Sequence, residues 1–208
     1  MTLATLLDTY RIEVSLYNGF ISKAFTQDLS NNYILAEQER SFVVDSAFLR
    51  IFISWETFLE NAFVNYLIGE SSTSGRSPIK YVSPQDAKHA YDMLIGTQHY
   101  VDWSNPEIIR RLSKLYFDKG DPIYQVLSSI QSSLFDLKTI RNAAAHLSLT
   151  TSHQLDSLAS RILNKPCTSI TVSNFILSID PNGTGNTTIL SNYLSLLDAA
   201  AFEIATWA

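Results

Sequence analysis

Between residues 36 and 68 the apolar side chains Phe48, Ile51, Phe52, Trp55, Phe58, Leu59, Ala62, Phe63 and Tyr66 return every three or four positions. That spacing places them on one broad face of an α-helix, so a long core helix is predicted there. Gly69 and the small, polar run 71–77 read as its stop and a following loop. From about Leu3 to Ser22 a weaker pattern of the same period, through Leu6, Tyr10, Ile12, Leu16 and Phe20, predicts another helix.

Three helix starts follow in the middle of the chain. In Ser83-Pro84-Gln85-Asp86, Ser83 is placed to cap, Pro84 at the first helical position and Asp86 where its charge suits the helix dipole, with a helix expected to Leu94. Asn105-Pro106-Glu107 repeats the arrangement and leads a helix through Tyr116. Asp121-Pro122 repeats it again, opening a second long helix from Pro122 to about Leu147 with Ile123, Leu127, Ile130, Leu134 and Leu137 on one stripe. Beyond Pro166 the texture changes: Ile170, Val172, Phe175 and Leu177 suggest strand alternation, and 180–186 is rich in turn residues. Leu190, Leu194, Leu197, Ala201 and Ile204 then predict a closing amphipathic helix over 188–207. The expectation is an all-α fold, a single helical domain over 1–208 with a loop or hairpin excursion at 166–187.

Composition narrows the function classes. One cysteine in 208 residues can form neither an internal disulfide nor a cysteine-based metal site, which points to a reducing compartment. Residues 1–11 lack the basic and apolar segments of a signal peptide, and no run of about 18 apolar residues occurs, so a cytoplasmic protein with no membrane span is expected. The 15 Lys and Arg against 20 Asp and Glu, net −5, argue against a protein that coats nucleic acid or anionic membrane by bulk charge. The distribution is uneven: 105–165 holds 8 basic and 5 acidic residues, the one net-positive segment, while 1–70 and 166–208 are acidic.

That positive segment contains Ile140-Arg141-Asn142-Ala143-Ala144-Ala145-His146. Arg141 is four residues past Leu137 and seven past Leu134, in the middle of the apolar stripe. A guanidinium there must meet a carboxylate, an anion or water in a cleft. His146 stands about 140° around an ideal helix from Arg141, so one straight helix would not aim both at one point. Either the helix ends or bends near His146, or a second copy of the chain completes a site. A purely structural account is also open: Arg141 paired to Glu56 or Glu60 in the core, and His146 capping the helix C-terminus.

Ile140–His146 resembles the Arg-x4–6-His motif of the HEPN superfamily (higher eukaryote and prokaryote nucleotide-binding domains). Phe52-Ile-Ser-Trp-Glu56-Thr-Phe-Leu-Glu60 is similar to the aromatic-rich helix of those domains, and the likeness covers about residues 1–165. The resemblance implies a HEPN-like bundle that dimerises through its motif helices, and in many members a metal-independent endoribonuclease, often a toxin or defence nuclease. Carried over, Arg141 and His146 would be the catalytic pair, with Asn142 supporting and Glu56 orienting one of them; a homodimer would supply two histidines. A minimal nucleotidyltransferase antitoxin is an implied partner alongside RNA. The types suit the chemistry: attack of a 2′-hydroxyl on its neighbouring phosphate needs a proton acceptor, a proton donor and a cation on the charged transition state. Arginine forks onto phosphate oxygens, and histidine titrates near neutrality.

Arg110, Arg111 and Lys114 form a basic turn that is either an ordinary solvated face or an RNA-backbone contact, and Lys138 on the motif helix joins them in the second case. His89, His99 and His153 show no metal-ligand spacing and read as surface or cap residues; no cofactor signature is present. Two rivals remain: a non-catalytic HEPN-like module that binds nucleotide, RNA or protein, and a helical scaffold in which Arg141 is a structural ion pair.

Overall fold

A computed structural model describes the chain except residues 97–99, 147 and 184. His99, expected at the surface or in a cap, lies outside the described residues, as does Leu147, the expected end of the second long helix. Every regular element among the described residues is helical: α1 (Leu3–Ala24), α2 (Glu37–Ile68), α3 (Ala87–Ile95), α4 (Pro106–Tyr116), α5 (Ile123–Ser129), α6 (Gln131–Ala145), α7 (Leu149–Leu163), α8 (Val172–Ile176) and α9 (Ile189–Thr206). The all-α expectation holds. Among the described residues no helix is long and apolar enough to cross a membrane.

The expected helix boundaries shift in three places. Asp86, not Ser83, caps α3, its side chain accepting from the His89 amide at 2.8 Å. The expected helix 122–147 is two helices interrupted at Ile130 (φ −114°, ψ 19°). Just before the break the Ser128 and Ser129 hydroxyls bond back to the carbonyls of Tyr124 and Val126, a competition with the helical ladder that favours ending it. The third change is in the excursion after Pro166, which contains the short helix α8 and, among the described residues, no hairpin strands. Thr171 caps it by accepting from the Asn174 amide, and Val172, Phe175 and Ile176, spaced by three and one, are all buried. Helical burial of that triplet outweighs the weak two-residue alternation. An isolated antiparallel bridge, Ile179 to Thr188, closes the turn-rich loop.

The chain divides into two compact units. The first (1–11, 55–135 and 196–208) is packed around the second half of α2. Tyr10 meets the rings of Trp55 and Phe58 at 6.2 and 5.6 Å. Phe63 gathers Trp103, Tyr116 and Phe117 within 5.1 to 6.2 Å, an aromatic cluster of the kind that contributes beyond its buried area. The buried Tyr66 hydroxyl donates to the Ile204 carbonyl at 2.5 Å.

The second unit (12–54 and 136–195) buries Phe48, Ile51 and Phe52 of α2, Leu137 and Ile140 of α6, Leu155 and Ala159 of α7, and Phe175 and Ile176 of α8. Asp136 links three of its helices: Arg161 of α7 donates to one carboxylate oxygen at 2.5 Å and Tyr193 of α9 to the other at 3.3 Å. In the same unit the α1 residues Ile12, Leu16 and Phe20, part of the predicted stripe, are 69%, 52% and 42% exposed.

Candidate functional site

The motif occupies the end of α6. Arg141 and Asn142 are half-buried, and Asn142 Oδ1 accepts from Arg141 Nη1 at 3.4 Å. Lys138, one turn earlier, is also half-buried. Helix α6 stops at Ala145. The His146 amide still donates to the Asn142 carbonyl at 2.9 Å, but the residue stands beyond the last helical position and its side chain is exposed. Its direction is therefore not tied to the 100° step that separates it from Arg141 on an ideal helix.

The helix end is held by the start of the next one. Ser148 caps α7 in a reciprocal capping box with Thr151, satisfying the free amides of the first turn. Thr151 Oγ1 also donates to the His146 carbonyl at 2.6 Å, and the Ser148 amide donates to the same carbonyl at 3.0 Å. His146 thus has a fixed backbone and a solvent-facing ring.

His146 lines a cavity of about 440 Å³ within the second unit. Its wall is formed by Asp45 of α2, Ala143 of α6, the first turns of α7 from Ser148 to Leu155, and the segment 169–172. This size lies in the range of about 300–1,000 Å³ usual for small-molecule sites. The 169–172 wall is placed by Asp156, whose carboxylate accepts the amides of Ser169 and Ile170 at 3.0 and 2.9 Å. The lining is mainly apolar, and Ser148, Thr151, Ser152, Ser169 and Thr171 add hydroxyls to it.

Asp45 is the functional candidate that the sequence reading missed. Burial pushes its carboxyl up to about 6, only partly opposed by the hydrogen bond it accepts from the Ser173 amide. Its Oδ1 atom is buried and has no hydrogen-bond partner among the described residues. A signal existed: Asp45 stands three residues before Phe48 and seven before Phe52, on their apolar face, the same misfit that singled out Arg141.

The other predicted residues, His153 apart, fall in the first unit. Arg110 has its guanidinium occupied, donating to Ser128 Oγ at 2.9 Å, Gln131 Oε1 at 2.7 Å and the Tyr124 hydroxyl at 3.2 Å. It binds α4 to α5 and to the first residue of α6. Lys114 Nζ lies 4.1 Å from the Tyr124 ring centroid. Hydrogen bonds from Lys114 and then Arg110 lower the Tyr124 hydroxyl to about 8. Arg111 and Lys114 are exposed. Glu56 is half-buried on α2, and Glu60, one turn further along, accepts from Trp103 Nε1 at 3.0 Å with its carboxyl raised by burial. His89 accepts the Gln85 amide at the start of α3, and His153 is exposed on α7.

Among the described residues no three His, Cys, Asp or Glu side chains gather as a metal site. No protein-family model, curated protein or solved structure matches the chain.

Proposed function

We propose that the protein is a metal-independent endoribonuclease of HEPN type, in which Arg141 and His146 act on the phosphate next to an attacking 2′-hydroxyl. The observation that carries this reading is the end of α6 at Ala145, which frees the His146 ring from the helix and sets it on a cavity a few residues after Arg141. His146 moves protons, and Arg141 stabilises charge on the non-bridging oxygens. Asn142, bonded to Arg141, restrains the guanidinium. A homodimer joined at its motif helices, a toxin or defence role and an antitoxin partner belong to the same proposal.

The test is cleavage of RNA in EDTA by the purified protein. We expect cleavage by the native chain and its loss, by about 10²-fold or more, in His146→Ala. Because His146 is exposed, that variant should keep its melting temperature. Equal residual cutting by both proteins would sink the proposal.

The hydroxyls in the cavity wall favour a second reading, a non-catalytic module that holds a nucleotide or RNA end. It predicts binding without cleavage and equal affinity in His146→Ala.

A further inference from the structure

Histidine alone leaves the ribonuclease chemistry incomplete within one chain, because base and acid must act in the same turnover. The cavity holds two described lining residues that titrate, His146 and Asp45, and they come from separate elements, the end of α6 and the first half of α2. The remaining lining residues are hydroxyl-bearing or apolar. We propose that Asp45 is the second proton-transfer residue of this cavity, its carboxylate taking the 2′-hydroxyl proton of a bound ribonucleotide while His146, as imidazolium, protonates the departing 5′-oxygen. This rests on the ribonuclease reading and deepens it.

The step balances without a further reactant. The O2′–P bond forms as the P–O5′ bond breaks; Asp45 gains the proton of the 2′-hydroxyl and His146 gives one to the 5′-oxygen. The products are a 2′,3′-cyclic phosphate and a 5′-hydroxyl. Solvent then resets both groups.

Three observations support Asp45 in this role. It is half-buried and lines the cavity together with His146, its Oδ1 enclosed by the protein. The Ser173 amide at the start of α8 favours the ionised carboxylate, the form that takes up a proton. Its elevated proton affinity moves it towards neutrality, where a carboxylate is a better base than at its ordinary value. With Asp45 in place, one chain carries both groups and a second histidine from a partner copy is not required for proton transfer.

The experiment compares wild type, Asp45→Asn and His146→Ala on two substrates, an RNA oligonucleotide and uridine 3′-(4-nitrophenyl phosphate). The nitrophenolate leaves without a proton, so the ester needs the base and not the acid. Asp45→Asn should lose about 10²-fold or more in kcat/KM on both substrates, whereas His146→Ala should lose that on RNA and far less on the ester. Circular dichroism and melting control for folding. Should the Asn variant fail to fold, Asp45→Glu, which keeps the carboxylate, should retain intermediate activity on the ester, and full loss there would overturn the proposal. Asp45→Asn cutting both substrates at the wild-type rate, while His146→Ala does not, removes Asp45 and leaves the ribonuclease reading standing. The mirror pattern, with the ester rescuing Asp45→Asn instead, overturns the assigned roles. A wild-type protein that leaves RNA intact overturns both proposals.

Discussion

Asp45 sits half-buried in the second unit with one buried carboxylate oxygen unmatched among the described residues, an arrangement that costs stability whenever the group is charged. Its folded-state value, about 6, lies above that of an exposed aspartate. The protonated form is therefore favoured on folding: its contribution is fully present below the unfolded value, about 3.9, and is lost as pH rises through about 6. Replacing Asp45 by Asn should then stabilise the protein at pH 7 to 8 by about 1–3 kcal/mol, a few degrees in Tm for a chain of this size. The gain should vanish at acid pH. Melting curves from pH 4 to 8 check this, and parallel curves for the two proteins would contradict it. A residue that weakens the fold where it is charged, yet lines a cavity, fits the usual conflict between stability and function. At this scale the sequence exposed Arg141 because the stripe Ile130, Leu134, Leu137 surrounds it in register. Asp45 passed unnoticed among the first turns of a helix judged by its aromatic half.

Helices α6 and α7 show how much the elements decide about the site. The hydroxyl of Thr151 completes a capping box with Ser148 and also grips the His146 carbonyl. Thr151→Ala should cost about 1 kcal/mol in denaturant unfolding and should lower RNA cleavage by more than that loss of folded protein explains, because the ring loses its fixed backbone. Cleavage that stays at the wild-type level per folded molecule would separate the cap from the chemistry. The element pattern itself was legible where hydrophobic periodicity is long: α2 and α9 appear within about a residue or two of their expected ends. It failed where competing local bonds decide. The serine back-bonds before Ile130 broke a helix that the apolar stripe alone would continue. Thr171 and the triplet Val172, Phe175, Ile176 made a helix of a stretch whose alternation suggested strands. The α6 to α7 cap, Ser148 with Thr151, carries no apolar signal and was not anticipated.

For the whole molecule, the net charge of −5 makes bulk attraction to RNA weak, and affinity must come from a few local contacts. Log affinity for single-stranded RNA should fall with log salt at about 0.7 per phosphate neutralised. Arg111→Ala and Lys114→Ala, both at exposed positions of α4, should each flatten that slope by about the same 0.7 if they touch the backbone. An unchanged slope identifies an ordinary solvated face. Arg110 is a different case, since Ser128, Gln131 and Tyr124 already occupy its donors. The all-helical class was readable from period and caps alone. The cavity was not, because it is assembled from α2, α7 and a loop that Asp156 draws in, positions separated by more than a hundred residues of sequence.

The connection that carries His146 is bonded at both of its ends, to the Asn142 carbonyl behind it and to Ser148 and Thr151 ahead. Chain length between α6 and α7 is thereby fixed in a way that residue identity is not. Related sequences can drift through conservative exchanges around Ala143 to Ala145, but a single inserted or deleted residue there would carry the imidazole away from Asp45 while leaving both helices able to form. The turn-rich loop after α8 is also tied, by the Ile179 to Thr188 bridge, by the Asp180 amide on the Thr187 carbonyl and by the Asn182 side chain on the Ile162 carbonyl, but it supplies none of the cavity's described lining residues, so length variation there should leave the site intact.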